Sequence, residues 1–177
     1  MGDSSRTPAP GEPRTLRELL LAIRDGFALH RPILVEVGTS EEAAADNTFE
    51  RTMTLTQPMD WMEAHGLEYA TSAFFRVGPN TLHVAGEPPV MVGRSRRCDV
   101  RVDNESVSKV HASLHFDHGR GEYLVVDEAS RNGSSINGTP LVAGERTAVW
   151  PGAYLCFGDA VFVFLDAPTL RKLARLV

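Results

Sequence analysis

A mainly β fold, a β-sandwich with a mixed α/β N-terminal extension and a short C-terminal helix, is what this 177-residue chain predicts. From Tyr69 onward short apolar runs recur at spacings of about ten residues, the rhythm of sandwich strands. Turn chemistry separates those runs, and no long helical segment lies between them. The composition, 42% hydrophobic and 23% charged, suffices for a packed core and excludes wholesale disorder.

Along the chain, residues 1–14 are rich in Pro, Gly, Ser and Thr and read as a flexible lead-in. Thr15 and Glu18 form a capping box, and Leu16, Leu19, Leu20, Ile23 and Phe27 make a helical stripe that runs to about His30. Arg31-Pro32 stops that helix, and Ile33 to Val37 reads as a short strand. Ser40 to Asp46 reads as one or two helical turns, Arg51 to Thr56 as a strand, and Pro58 to His65, closed by Gly66, as a short helix. The strand-like runs that follow are Ala73–Val77, Leu82–Val84, Val90–Val92, Val100–Val102, His111–Phe116 and Tyr123–Asp127. Ser134–Ile136, Thr147–Val149, Tyr154–Phe157 and Val161–Leu165 complete the set. Pro168 to Val177, with Leu170, Leu173 and Leu176 among basic residues, reads as a closing helix. The expected division is therefore a lead-in at 1–14, an extension at 15–68, a sandwich at 69–166 and a helix at 167–177.

No apolar run approaches the roughly 20 residues of a membrane-spanning helix. The first residues lack the basic-then-apolar order of a secretory signal, and two cysteines are too few for a disulfide framework. Both features point to a cytoplasmic setting. The net charge of −5 argues against nucleic acid, whose binding needs many phosphates neutralised. That charge is not uniform: residues 1–86 hold 7 Lys/Arg against 12 Asp/Glu. Between Gly93 and His111 the balance reverses, with Arg94, Arg96, Arg97, Arg101 and Lys109 facing Asp99, Asp103 and Glu105. A solvated loop is the simple explanation of such an excess.

Three loop segments offer more. Val92-Gly93-Arg94-Ser95, Ser106 through Ala112 and Ser130 through Gly138 together supply guanidinium, ammonium, hydroxyls, carboxamides and backbone N–H groups. Arginine gives two parallel charge-assisted hydrogen bonds to a tetrahedral dianion, lysine adds point charge, and Asn carboxamides pair with an extended peptide backbone.

These segments, in order, resemble the forkhead-associated (FHA) domain, a phosphothreonine-peptide reader. Gly93-Arg94 is followed by Ser108-Lys109-Val110-His111-Ala112, similar to the family's S-R-x-H. Asn132-Gly133-Ser134-Ser135-Ile136-Asn137-Gly138 is then similar to N-G-T-x-V-N-G. The resemblance covers roughly residues 74–165 and implies an eleven-strand sandwich with its binding loops at one end. It implies that Arg94 and Ser108 grip the phosphate and that Asn132 holds the peptide backbone. Lys109 stands where the family usually has Arg, which keeps the charge and loses the bidentate fork. Arg131 stands where the family often has Thr and adds a cation to the phosphate or points to solvent. Gly93, His111, Gly133, Asn137 and Gly138 shape and support the loops.

Other chemistry is weaker. Ser108, His111 and Asp127 invite a hydrolase triad, but there is no G-x-S-x-G elbow. His111 and His115 on one strand lie about 13 Å apart, too far to share a metal ion. Cys98 and Cys156 read as small buried residues. The sequence therefore implies no enzyme, no cofactor, no metal, no nucleic acid and no membrane. The resemblance implies a signalling module that binds a phosphothreonine-containing protein downstream of a serine/threonine kinase. The alternative is a phosphorylation-independent assembly adaptor or scaffold component that uses the sandwich or the N-terminal half. Thr7 and Thr48, in flexible or acidic context, add the expectation of self-recognition through a phosphorylated N-terminal threonine.

Overall fold

Two sheets face each other in the computed structural model, which describes residues 16–28, 32–39, 73–74 and 89–177. The elements are α1 (Leu16–Arg24), β1 (Ile33–Thr39), β2 (Ala73–Phe74), β3 (Val90–Gly93), β4 (Val100–Arg101), β5 (Ala112–Asp117) and β6 (Glu122–Asp127). They continue as β7 (Ser134–Ile136), β8 (Thr139–Pro140), β9 (Thr147–Val149), β10 (Tyr154–Phe157), β11 (Ala160–Leu165) and α2 (Ala167–Ala174). One sheet has the order β2-β1-β11-β10-β7-β8 and the other β4-β3-β5-β6-β9. All pairings are antiparallel except β3 with β4. The mainly β sandwich that the sequence predicts is the fold.

Between the sheets lies one apolar cluster, with Leu34, Val92, Leu114, Val125, Leu155, Phe157, Phe162 and Phe164 among its members. A second cluster lies on the opposite face of the six-stranded sheet. There Ile33, Val35, Tyr154, Cys156, Val161, Val163 and Leu165 meet Leu16, Leu19 and Leu20 of α1 and Leu170, Leu173 and Ala174 of α2. Strands β10 and β11 are consequently buried at every position. That is why Ala160 to Leu165 reads as a continuous apolar run and not as an alternation.

The strand Ile33–Thr39, which the sequence assigns to an extension, is the hydrogen-bonded neighbour of β11, from Ile33↔Leu165 to Thr39↔Ala160. Helix α1 ends at Arg24, earlier than the expected limit near His30. Gly26 adopts φ +104°, its N–H donates to Ile23 O at 3.2 Å, and the Phe27 N–H donates to Ala22 O at 2.8 Å. This is a Schellman termination with glycine in the left-handed position. It leaves Phe27, counted in the helical stripe, 48% exposed. At the other end of the chain, the Asp166 carboxylate caps α2 by accepting the Thr169 N–H at 2.9 Å. The expected elements at Ser40 to Asp46, Arg51 to Thr56, Pro58 to His65 and Leu82–Val84 lie outside the described residues, as do Thr7, Thr15 and Thr48.

Candidate functional site

Strand β3 ends at Gly93, where the backbone turns into the loop carrying Arg94. A Cβ on Gly93 would sit 2.5 Å from Lys109 O and 3.0 Å from Cys98 Sγ, so this close approach requires glycine. Two backbone bonds lock the loop to the segment between β4 and β5. Arg94 N–H donates to Ser108 O at 2.9 Å and Ser95 N–H to Lys109 O at 3.0 Å. The Cys98 thiol also donates to Lys109 O, at 3.1 Å, and burial pushes that thiol's pKa up.

The second loop begins with a turn at Asn104. Val107 N–H donates to Asn104 O at 3.1 Å, while Asn104 Oδ1 accepts the Ser106 N–H and hydroxyl at 2.9 and 2.8 Å. Gly158 packs beneath this turn, its would-be Cβ 2.6 Å from Ser106 Oγ. The third loop leaves β6 at Asp127. The Asp127 carboxylate accepts the Ser130 N–H and hydroxyl at 2.9 and 2.7 Å and the buried Ser134 hydroxyl at 2.5 Å. Burial raises the Asp127 pKa, but these hydrogen bonds hold it below the usual carboxylate value.

His111, fully buried, ties the second loop to the third. Its Nδ1 accepts the Ser108 N–H at 3.0 Å and its Nε2 donates to Gly133 O at 3.0 Å. A backbone N–H can only donate and a carbonyl can only accept, so the imidazole is neutral with its proton on Nε2. Burial accordingly lowers the His111 pKa, outweighing the Gly133 carbonyl and Asp127. Two further bonds cross between these loops. Arg131 N–H donates to Ser108 Oγ at 3.0 Å, and Asn132 Nδ2 donates to Ser106 O at 2.7 Å.

The loops enclose an open cleft of about 390 Å³ lined by Arg94, Glu105, Ser106, Val107, Ser108, Lys109, Val110 and Arg131. Arg94 Nε donates to Val107 O at 3.2 Å, which orients the guanidinium along the cleft wall. Lys109 and Arg131 are exposed. Of the residues expected to bind, Arg94, Ser108, Lys109 and Arg131 line one cleft, and Asn132 is hydrogen-bonded to its wall. Gly93, His111 and Gly133 lie behind it in the junctions just described. Asn137 and Gly138 are elsewhere, at the far end of β7. They form the tight β7–β8 turn with φ +47° and +78°, and Asn137 Oδ1 accepts the Tyr154 N–H at 2.8 Å.

The triad geometry is absent. Ser108 presents its backbone N–H, not its hydroxyl, to His111, and His111 Nε2 stands 4.0 Å from Asp127. No group of three or more potential metal ligands occurs among the described residues. Nor is any described helix long and apolar enough to cross a membrane. Sequence reasoning places Ser106 at the start of the second loop and counts Glu105 among the local charges, but assigns neither a part in the site. Asn104-x-Ser106 is the signal that was available, because an Asn side chain accepting the N–H two residues on fixes a turn.

Comparison with known proteins gives partial relatives. A 56-residue stretch, 30% of this chain, is 38% identical to mouse angiogenic factor with G patch and FHA domains 1 and spans 8% of that protein. A 105-residue stretch, 53% of this chain, is 30% identical to rabbit sarcolemmal membrane-associated protein and spans 13% of it. Among solved structures, the N-terminal FHA domain from S. cerevisiae Rad53p in complex with a phosphothreonine peptide is similar with a TM-score of 0.41 and 18% identity. That match covers 51% of this chain and 74% of the yeast one. The family model of the FHA domain matches residues 90–158, the stretch that supplies every residue of the cleft. It is over those residues that the chain is similar to the FHA domain family.

Proposed function

We propose that the chain is a phosphothreonine-peptide-binding module acting downstream of a serine/threonine kinase, in a cytoplasmic setting and without catalytic activity of its own. The observation that carries this function is the convergence of Arg94, Ser108, Lys109 and Arg131 on one open cleft. A phosphothreonine carries close to two negative charges and three acceptor oxygens near neutral pH. Arg94 supplies a guanidinium already oriented by Val107 O, and Lys109 and Arg131 supply point charge. The Ser108 hydroxyl accepts the Arg131 N–H, so its own proton remains available to a phosphate oxygen. Asn132, anchored to Ser106 O through Nδ2, offers its carboxamide oxygen to a peptide N–H.

Titration of the full chain with one peptide in phosphorylated and unphosphorylated forms tests this function. The phosphorylated form binds and the other does not. Arg94→Ala weakens binding by about 2–5 kcal/mol, the cost of truncating one partner of a hydrogen-bonded charge pair. Equal binding of both peptides, or an unchanged Arg94→Ala, overturns the proposal in favour of a phosphorylation-independent adaptor.

A further inference from the structure

The cleft is not purely basic. Glu105 lines it together with Arg94, Lys109 and Arg131. Its carboxylate is exposed and makes no hydrogen bond or ion pair among the described residues. The backbone beneath it is held firmly. Val107 N–H closes the turn on Asn104 O, Asn132 Nδ2 grips Ser106 O, and the Asp159 N–H donates to Ser106 Oγ at 2.8 Å. A fixed turn therefore presents a free carboxylate to whatever enters.

A carboxylate in a site for a dianion repels the ligand unless the ligand brings a compensating cation. The Arg94 guanidinium is already directed at Val107 O, and neither Lys109 nor Arg131 pairs with Glu105. With Arg94, Lys109 and Arg131 facing the phosphate, Glu105 stays unpaired beside it, and a cation of the bound segment is the partner that its carboxylate lacks. We infer that Glu105 is a specificity-determining residue: the cleft accepts phosphothreonine segments that carry a lysine or arginine beside the phosphothreonine and rejects those with an acidic residue there. This inference rests on the phosphopeptide function proposed above and names its substrate class.

The experiment is a titration of the full chain with phosphothreonine peptides in which a single Lys or a single Glu is walked through the flanking positions. At one position wild type prefers Lys to Glu by about tenfold, the size of one added charge pair at an interface rim. Glu105→Gln, which leaves every hydrogen bond of the turn in place, reduces that preference to about twofold or less. Glu105→Lys reverses it. The same preference in wild type and Glu105→Gln, or no preference at any position, overturns the inference. Unphosphorylated peptides and Arg94→Ala separate the two proposals. If phosphate dependence persists while charge preference ignores Glu105, only the selectivity fails. If phosphorylation makes no difference, the function itself fails and the selectivity with it.

Discussion

Protonation of His111 would place a second N–H against the Ser108 N–H, with no acceptor between them. The native state therefore requires the neutral ring, and burial lowers its pKa below the ordinary value of 6.5. The unfolded chain takes up this proton first as pH falls. The stability that His111 contributes is thus complete above about pH 6.5 and is lost as pH falls toward the lowered folded value. His115 has the same sign: burial and then Arg146 lower its pKa, against Glu128. The melting temperature of the unliganded protein should fall from pH 7 to pH 5.5, and NMR titration should read His111 below 6.5. An imidazole titrating at or above 6.5 would contradict the hydrogen-bond assignment. Gly93 fixes the same junction by having no side chain, because a Cβ would lie 2.5 Å from Lys109 O. Gly93→Ala should cost about 2 kcal/mol through overpacking, with a melting temperature lower by several degrees and weaker phosphopeptide binding. A variant that melts like wild type would show that the β3 end can move away from Lys109 O without penalty.

Most strands were legible because they are short apolar runs between turn residues, and Ser134–Ile136, Thr147–Val149 and Tyr154–Phe157 have the expected limits, whereas β8, Thr139–Pro140, has no apolar run to announce it. Arg94, Ser108, Lys109 and Arg131 were legible as a group because the family resemblance marks their positions and cations and hydroxyls in loops carry their chemistry in their side chains; the structure lines one cleft with all four. What was not legible is long-range. Ser106 matters through its carbonyl, held by Asn132 at a sequence separation of 26, and no local pattern announces such a contact. Likewise the β1–β11 pairing spans over a hundred residues, and the Ile33 to Val37 pattern is silent about its partner. Helix α2 shows what such packing is worth. Leu173 is 1% exposed between α1 and the outer face of β11, so Leu173→Ala should cost about 2–5 kcal/mol. No residue of α2 lines the cleft, so phosphopeptide affinity measured well below the melting temperature should stay within about twofold of wild type. Affinity falling in step with stability would instead couple the helix layer to the loops.

At the scale of the whole molecule, the described structure is a sandwich with a helix layer on one sheet, and both ends of the chain contribute to that layer. Arg24 at the end of α1 donates from a guanidinium nitrogen to Val177 O at 2.9 Å, and α1 and α2 share one apolar cluster. We therefore propose that α1 and β1 belong to the folding unit of the sandwich, although the sequence texture changes only near Tyr69. A fragment limited to residues 69–166 would leave the β1-facing edge of β11 unpaired. It would also uncover Tyr154, Cys156, Val161, Val163 and Leu165, which the two helices now bury. Each fully buried large apolar side chain contributes about 1.5–3 kcal/mol, while a whole domain is stable by about 5–15 kcal/mol. Losing several such contacts together with an edge strand exceeds that margin, and the exposed edge invites pairing between copies. The fragment 69–166 should thus be aggregated or lack a cooperative melt, whereas 15–177 should melt in a single transition. A cooperative melt of 69–166 near the temperature of the full chain would refute the shared unit and restore the division at residue 68.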